Sequence, residues 1–282
     1  MKKSILFLMM CALCTLSIAQ FGTFKKKEEI DAFKETTLVV VWMQDSSFNE
    51  SLYNAVERYW TFGPKEYAEE NELKKYNKKD VAFLLFSKSV GSKIKAKLCT
   101  SEEDINGLVV ARKFKKRIMK EDMVAYSFCS NKMDTADWDG EITRAVQMLN
   151  NYFNYASQAV TLNSSRMMKD YPSDRNLLLD RKLLVEDKML DIKGKVDAVN
   201  LFDAEVVEVG REEIYRAVKS QEDNLLYYVF SKGGKYCNKM VVNAKNSELM
   251  WFYSDSPDKC KLSEKDLKAL KKMKVDLLKK NK

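Results

Sequence analysis

The stretch LLYYVFSKGGKYCNKMVVNAKNSELMWFY, residues 225–253, decides how this chain reads. Three runs within it, Leu225 to Phe230, Lys239 to Asn243 and Leu249 to Tyr253, are rich in β-branched and aromatic residues and are joined by short turn-forming segments. That is the pattern of an antiparallel meander. The KGGK at 232–235 lies between two strands and opens no helix, so it reads as a hairpin turn and not as a phosphate cradle. Strict alternation puts Leu225, Tyr227 and Val229 on one face and Leu226, Tyr228 and Phe230 on the other, with Leu249, Trp251 and Tyr253 opposing Met250 and Phe252. Both faces are apolar, so both need a cover. Helices supply one cover; more helix, the rest of the chain or a partner supplies the other. Tyrosine and tryptophan serve cores and binding surfaces alike, which makes Tyr227, Trp251 and Tyr253 the candidate binding face.

A fainter copy, VAFLLFSKSVGSK at 81–93, repeats an apolar run, Phe-Ser-Lys and a small-residue turn. Before it, Leu38 to Trp42 reads as a strand and Asn49 as the cap of a helix carrying Leu52, Ala55, Val56 and Tyr59. Trp60 to Phe62 reads as a short strand and Lys65 to Tyr76 as a polar helix. Leu108 to Phe114 and Met123 to Cys129 are further strands, and Asp139 to Val160 carries the clearest helical stripe. The second half runs in a similar order: a strand at Leu177 to Leu179, a strand at Ala204 to Val209, a helix at Arg211 to Ser220, the meander, and a final helix capped by Ser263 and Asp266. Breaks at Asn163 to Ser165 and Tyr171 to Asp174 place a boundary between domains 20–170 and 171–282. The expectation is an α/β (α+β) protein of two similar domains, each a mixed or antiparallel sheet with flanking helices. Either an internal duplication or two unrelated halves of like element order produces that pattern.

Residues 1–19 have the layout of a cleaved secretory signal: Lys2 and Lys3, an apolar run from Ile5 to Leu16, and Ser17-Ile18-Ala19 before Gln20. The run is too short to span a bilayer, and no later segment reaches that length. The expectation is a periplasmic or secreted protein, cut before Gln20 and not transmembrane afterwards.

Four cysteines survive that cleavage: Cys99, Cys129, Cys237 and Cys260. In an oxidising compartment an even number points to bridges, and pairing within each domain favours Cys99–Cys129 and Cys237–Cys260. Buried free thiols are the alternative. The chain has no histidine. Ser-His-Asp and Cys-His nucleophilic sites are thereby excluded, and acid–base chemistry would fall to carboxylates, lysine, tyrosine or cysteine.

The net charge of +8 is unevenly spread. From Lys259 to Lys282 ten lysines face only Glu264, Asp266 and Asp276, while the body before them is nearly balanced. That is no basic nucleic-acid-binding domain; it is a balanced globular body with a basic C-terminal segment, read as the solvated face of a helix.

The stretch TTLVVVWMQDSSFNESLYNAVERYWTFGPKEYAEENEL, taken with the meander, resembles an uncharacterised family of exported Bacteroidota proteins. In that family a TT-x-VVV strand leads to a helix ending in an EKYW-like box, and a tyrosine-rich meander lies near the C-terminus. A Gln directly after the signal site also fits that phylum. The resemblance implies localisation and layout, and no functional residues.

Two constellations remain for chemistry. DTADWDGEI, residues 134–142, places Asp137, Asp139 and Gly140 as in a calcium loop, but the bidentate Glu at the last position is missing. Helix capping by Asp137 or Asp139, with Glu141 complementing the helix dipole, is the plainer reading. Asp180, Glu186 and Asp187 are the other carboxylates open to a hydrolytic pair. With no cofactor loop and no catalytic motif, the expected function is non-catalytic binding or assembly with an envelope protein or glycan. The alternative is a carboxylate-dependent hydrolase of glycans or peptides.

Overall fold

The structure is a computed structural model that describes residues 24, 26–43, 45–76, 80–86, 95–98, 101–104, 107–114, 122–129, 138–159, 180–192, 198–233 and 236–280. The segment read as a signal, Cys99, Asp137, the strand expected at Leu177 to Leu179 and the 170/171 boundary lie outside them.

Helix α1 (Lys27–Lys34) buries Ile30 and Phe33 and leads into strand β1 (Thr37–Val41). Helix α2 (Ser46–Tyr59) follows, capped by Asp45, whose carboxylate accepts from the backbone N–H groups of Ser47 at 2.9 Å and Phe48 at 3.1 Å. Asn49, expected as the cap, sits one turn later and grips the backbone of Met43 through two 2.8 Å bonds. Trp60 to Phe62 is no strand. Trp60 and Phe62 plug the core against Phe153, and the Thr61 N–H bonds the Asn150 side chain, so no strand partner is taken.

The polar helix expected at Lys65 to Tyr76 is instead β2 (Lys65–Ala68) and a 3₁₀ turn (Glu70–Tyr76). β2 pairs on one side only, and an edge strand can be charged because its outer side meets water. Then come β3 (Val81–Phe86), the hairpin β4 (Lys95–Leu98) and β5 (Ser101–Asp104), β6 (Gly107–Ala111), β7 (Met123–Phe128) and helix α3 (Trp138–Gln158).

The second half contains β8 (Lys182–Glu186), β9 (Leu190–Asp191), the short helix α4 (Ala198–Phe202), β10 (Val206–Val209), helix α5 (Arg211–Lys219), the meander β11 (Leu225–Gly233), β12 (Tyr236–Asn243) and β13 (Leu249–Asp255), then β14 (Leu262–Ser263) and helix α6 (Glu264–Lys280). The expected capping box forms: Asp266 accepts from the Ser263 N–H at 2.9 Å, and the Ser263 hydroxyl accepts from the Asp266 N–H at 3.3 Å.

The protein is α+β, with two five-stranded mixed sheets of the same design. Their orders are β2-β1-β3-β6-β7 and β10-β8-β11-β12-β13. In each, the first three strands are parallel and the last two antiparallel. Each also carries a bulge at the same place. Val110 faces Ala125 and Ala111 faces Met123, leaving Val124 as the extra residue; Val241 faces Trp251 and Val242 faces Leu249, leaving Met250. A shared bulge is a finer mark than shared strand order, because it fixes which residues face the core. The arrangement is the one an internal duplication produces.

Equivalent faces do equivalent work. In the first unit, Leu38, Val40, Leu84 and Val110 face α2 and α3; in the second, Leu183, Val185, Tyr228 and Val241 face α4 and α6. The opposite face of the second sheet, with Leu184, Tyr227 and Val242, joins the first unit's core cluster through α3 and α5. Helix α3 thus ends one unit and covers the next.

Candidate functional site

The seam between the units buries a charged network. Glu141 and Arg144, each with its side chain 2% exposed, form an ion pair one turn apart on α3. The Arg144 guanidinium also donates to the Phe128 carbonyl at 2.8 Å, at the end of β7. Glu141 accepts from the Tyr215 hydroxyl of α5 at 2.8 Å. Burial, then the Glu141 charge, hold the Tyr215 phenol well above its usual range. Glu141 stands in the first turn of α3, where an acid complements the helix dipole as expected, and it also links the units. Gly140 makes the approach feasible: a Cβ there would lie 2.3 Å from the Tyr215 ring. Gly140 and Glu141 of the calcium-like stretch are thus used in this packing, and among the described residues no cluster of ligands is arranged for a metal.

Above this buried network lies an open groove of about 570 Å³ between α2, α3 and α5, lined by Ser51, Asn54, Glu57, Arg58, Asp139 and Lys219. A second hollow of about 310 Å³ shares Asp139 and Lys219 and adds Glu212 and Arg216. Lys219 donates to Asp139 at 2.7 Å, and the Ser51 hydroxyl donates to its other oxygen. Those bonds, Lys219 first, hold the Asp139 carboxyl below its ordinary value. Glu57 accepts from the Tyr67 hydroxyl at 2.7 Å and lies 3.4 Å from Lys65; its carboxyl is held low chiefly by that phenol. The groove walls are tied across the units by Arg58 to Gln221 at 3.0 Å and Asn151 to the Asn246 carbonyl at 2.8 Å.

Among the described residues, the carboxylates named from sequence do not face one another across an open pocket. Asp180 sits in a left-handed turn, and Glu186 is held by Arg211 at 2.8 Å. Asp187 is exposed, its N–H bonded to the Val209 carbonyl. Glu186 and Glu141 do line one cavity, but it measures about 20 Å³. That is about the room for one water and excludes a sugar ring.

The candidate binding face splits. Tyr227 is 2% exposed and faces the seam, whereas Trp251, 8% exposed, packs toward α6 on the opposite side of the sheet. The bulge is the reason: it turns Leu249 to one face and both Met250 and Trp251 to the other, which strict alternation does not foresee. Of the three, only Tyr253 reaches solvent, at 37% exposure.

Of the two expected bridges, Cys237–Cys260 is present, with Cα atoms 5.4 Å apart. The Cys99–Cys129 bridge is not: Cys129 is a free thiol, wholly buried beside Glu141 and Arg144, and burial pushes it up to about 12. The position follows β7 into the core toward α3, where apolar neighbours keep it inert. Among the described residues no helix is long and apolar enough to cross a membrane, which, with the Cys237–Cys260 bridge, is compatible with export.

No protein-family model, characterised protein or solved structure matches this chain. The reading of function rests on its own geometry.

Sequence reasoning missed Arg144, Tyr215 and Lys219. The apolar stripe gave no warning of Arg144, which lies about 200° round the helix from Ile142; the local signal was an acid and a base three residues apart, Glu141 and Arg144.

Proposed function

We propose that the mature chain, cut before Gln20, is a periplasmic or secreted, non-catalytic binding protein of the Bacteroidota kind it resembles. It seats a polar ligand, a glycan or a segment of an envelope protein, in the groove between its two units. The observation that carries this reading is that both groove carboxylates, Asp139 and Glu57, are held as anions by Lys219, Ser51 and Tyr67. A glycan hydrolase needs one carboxyl raised and protonated at working pH, the opposite shift. The groove also offers Arg58 and Asn54 as donors beside two acceptors, a mixture suited to a neutral or zwitterionic polar ligand.

The test is ligand-detected NMR of the mature chain with envelope glycan fragments and peptides. Contact signals lost in Arg58→Ala and Lys219→Ala, with no new products over days, are the expected result. Turnover that disappears in Asp139→Asn or Glu57→Gln would replace this reading with the hydrolase.

A further inference from the structure

We propose that a second surface, the outward face of α6 with Tyr253, docks a linear polyanionic polysaccharide. The proposal rests on the export part of the reading above and is independent of the groove.

The surface follows from how α6 is set. Asp266, Leu267, Leu270 and Lys274 point inward and are buried. Lys265, Lys268 and Lys272, spaced by three and four residues, therefore share the outer face and are exposed. Lys268 is matched by Glu264, and Lys271 lies 3.9 Å from Asp203. Lys261, Lys265 and Lys272 have no carboxylate partner among the described residues. The Lys265 ammonium lies 5.5 Å from the centroid of the exposed Tyr253 ring, which fixes its position and adds a hydroxyl edge.

The backbone under these lysines is unusually well fastened. Cys260, between Lys259 and Lys261, is bridged to Cys237 on β12. Its carbonyl accepts from the Tyr228 hydroxyl. The buried ammonium of Lys239 lies 2.8 Å from Asp266 and 3.5 Å from Asp255, and Asp266 also closes the capping box. Three independent devices converge on one corner, so its lysines are presented on rigid elements at little ordering cost.

The occupant follows from charge and shape. The unpaired Lys265 and Lys272 stand two turns apart, about 10 Å along the helix, with the paired Lys268 between them, close to the span of two sugar residues. A row suits a linear chain of carboxylates or sulfates. A bilayer is disfavoured, because from Lys265 to Lys272 the outer face carries Ala269 and lysines, and Tyr253 is the exposed ring beside them that could meet lipid.

The experiment uses the mature, disulfide-bonded chain and polygalacturonate as probe. Neutral dextran, vesicles containing one quarter phosphatidylglycerol and duplex DNA serve as comparisons. Binding to polygalacturonate and not to dextran is expected, weakening steeply with salt. Lys265→Glu with Lys272→Glu should weaken it by about tenfold or more, whereas the equally charged change Lys34→Glu with Lys74→Glu should leave it within about twofold. Arg58→Ala and Lys219→Ala should also leave it unchanged, which separates this surface from the groove. No binding at about 50 mM salt, an equal loss in the Lys34/Lys74 pair, or tighter binding to vesicles or DNA would overturn the proposal.

Discussion

After its opening strand the first unit places a helix of 14 residues, α2, against its sheet; the second places one of only 5, α4. The sheets beneath are the same in order, direction and bulge. Matching ladder positions nevertheless differ: Leu108 stands opposite Phe86 in the first unit, and Lys239 opposite Phe230 in the second. The first unit holds itself with aromatic packing, Phe33, Trp60 and Phe62 around Phe153. The second uses a disulfide and the buried Lys239–Asp266 pair. A shorter helix removes less apolar surface from water, and staples take over where burial falls short. The comparison teaches that one topology tolerates two kinds of cement, and that both units depend on the seam.

The seam is the place to break it first. Arg144→Ala removes the positive charge paired with the buried Glu141 carboxylate and should cost about 3–5 kcal/mol in urea unfolding. The double change Glu141→Leu with Arg144→Met should cost much less, since burying two charges is itself expensive. A loss below about 1 kcal/mol for Arg144→Ala would mean that the seam does not hold the units.

Next comes the cement of the second unit. Cys237→Ser with Cys260→Ser opens a bridge across a separation of 23 residues and should cost about 3 kcal/mol. Hydrogen exchange should then rise in β12 and α6 before it rises in β1 and β3. Uniform loosening would show that the units melt as one.

A smaller effect is expected at Gly140. The change Gly140→Ala drives a Cβ into the Tyr215 ring and should destabilise by about 1–2 kcal/mol, the strain being partly offset by better helix propensity. The accompanying sign is loss of the Tyr215 to Glu141 bond, read from the tyrosine's ultraviolet absorbance.

The smallest effect at neutral pH concerns Cys129. Its thiol is raised to about 12 in the folded chain and titrates near 8.5 when unfolded. Its contribution to stability is complete below the unfolded value and is lost as pH climbs through the window up to the folded value, at no more than about 1.4 kcal/mol per unit. Cys129→Ala should flatten the alkaline limb of a stability–pH curve, and native Cys129 should resist thiol reagents at neutral pH. Rapid labelling would mean that the first unit's core is open there.

The meander, its hairpin, the long helix at 138–158 and the capping box of α6 were legible because each is local: a period, a turn or a pair of residues three apart. β2 was not, because an edge strand and an exposed helix can both be polar. The candidate face at Tyr227, Trp251 and Tyr253 was misread for the same sort of reason. A bulge is one inserted residue in a ladder, and it has no signature until the partner strand is known.

By itself, the sequence determined the lack of histidine, the crowding of lysines from Lys259 to Lys282 and the similar order of elements in its two halves. Those depend on composition and on neighbours along the chain. Only the tertiary structure decided that Glu141 and Arg144 are buried, that Lys219 reaches Asp139 from the other unit, and that Cys129 stays unpaired. Each of these depends on groups far apart in sequence meeting where water is excluded, and that environment, more than residue type, sets what a charge or a thiol does.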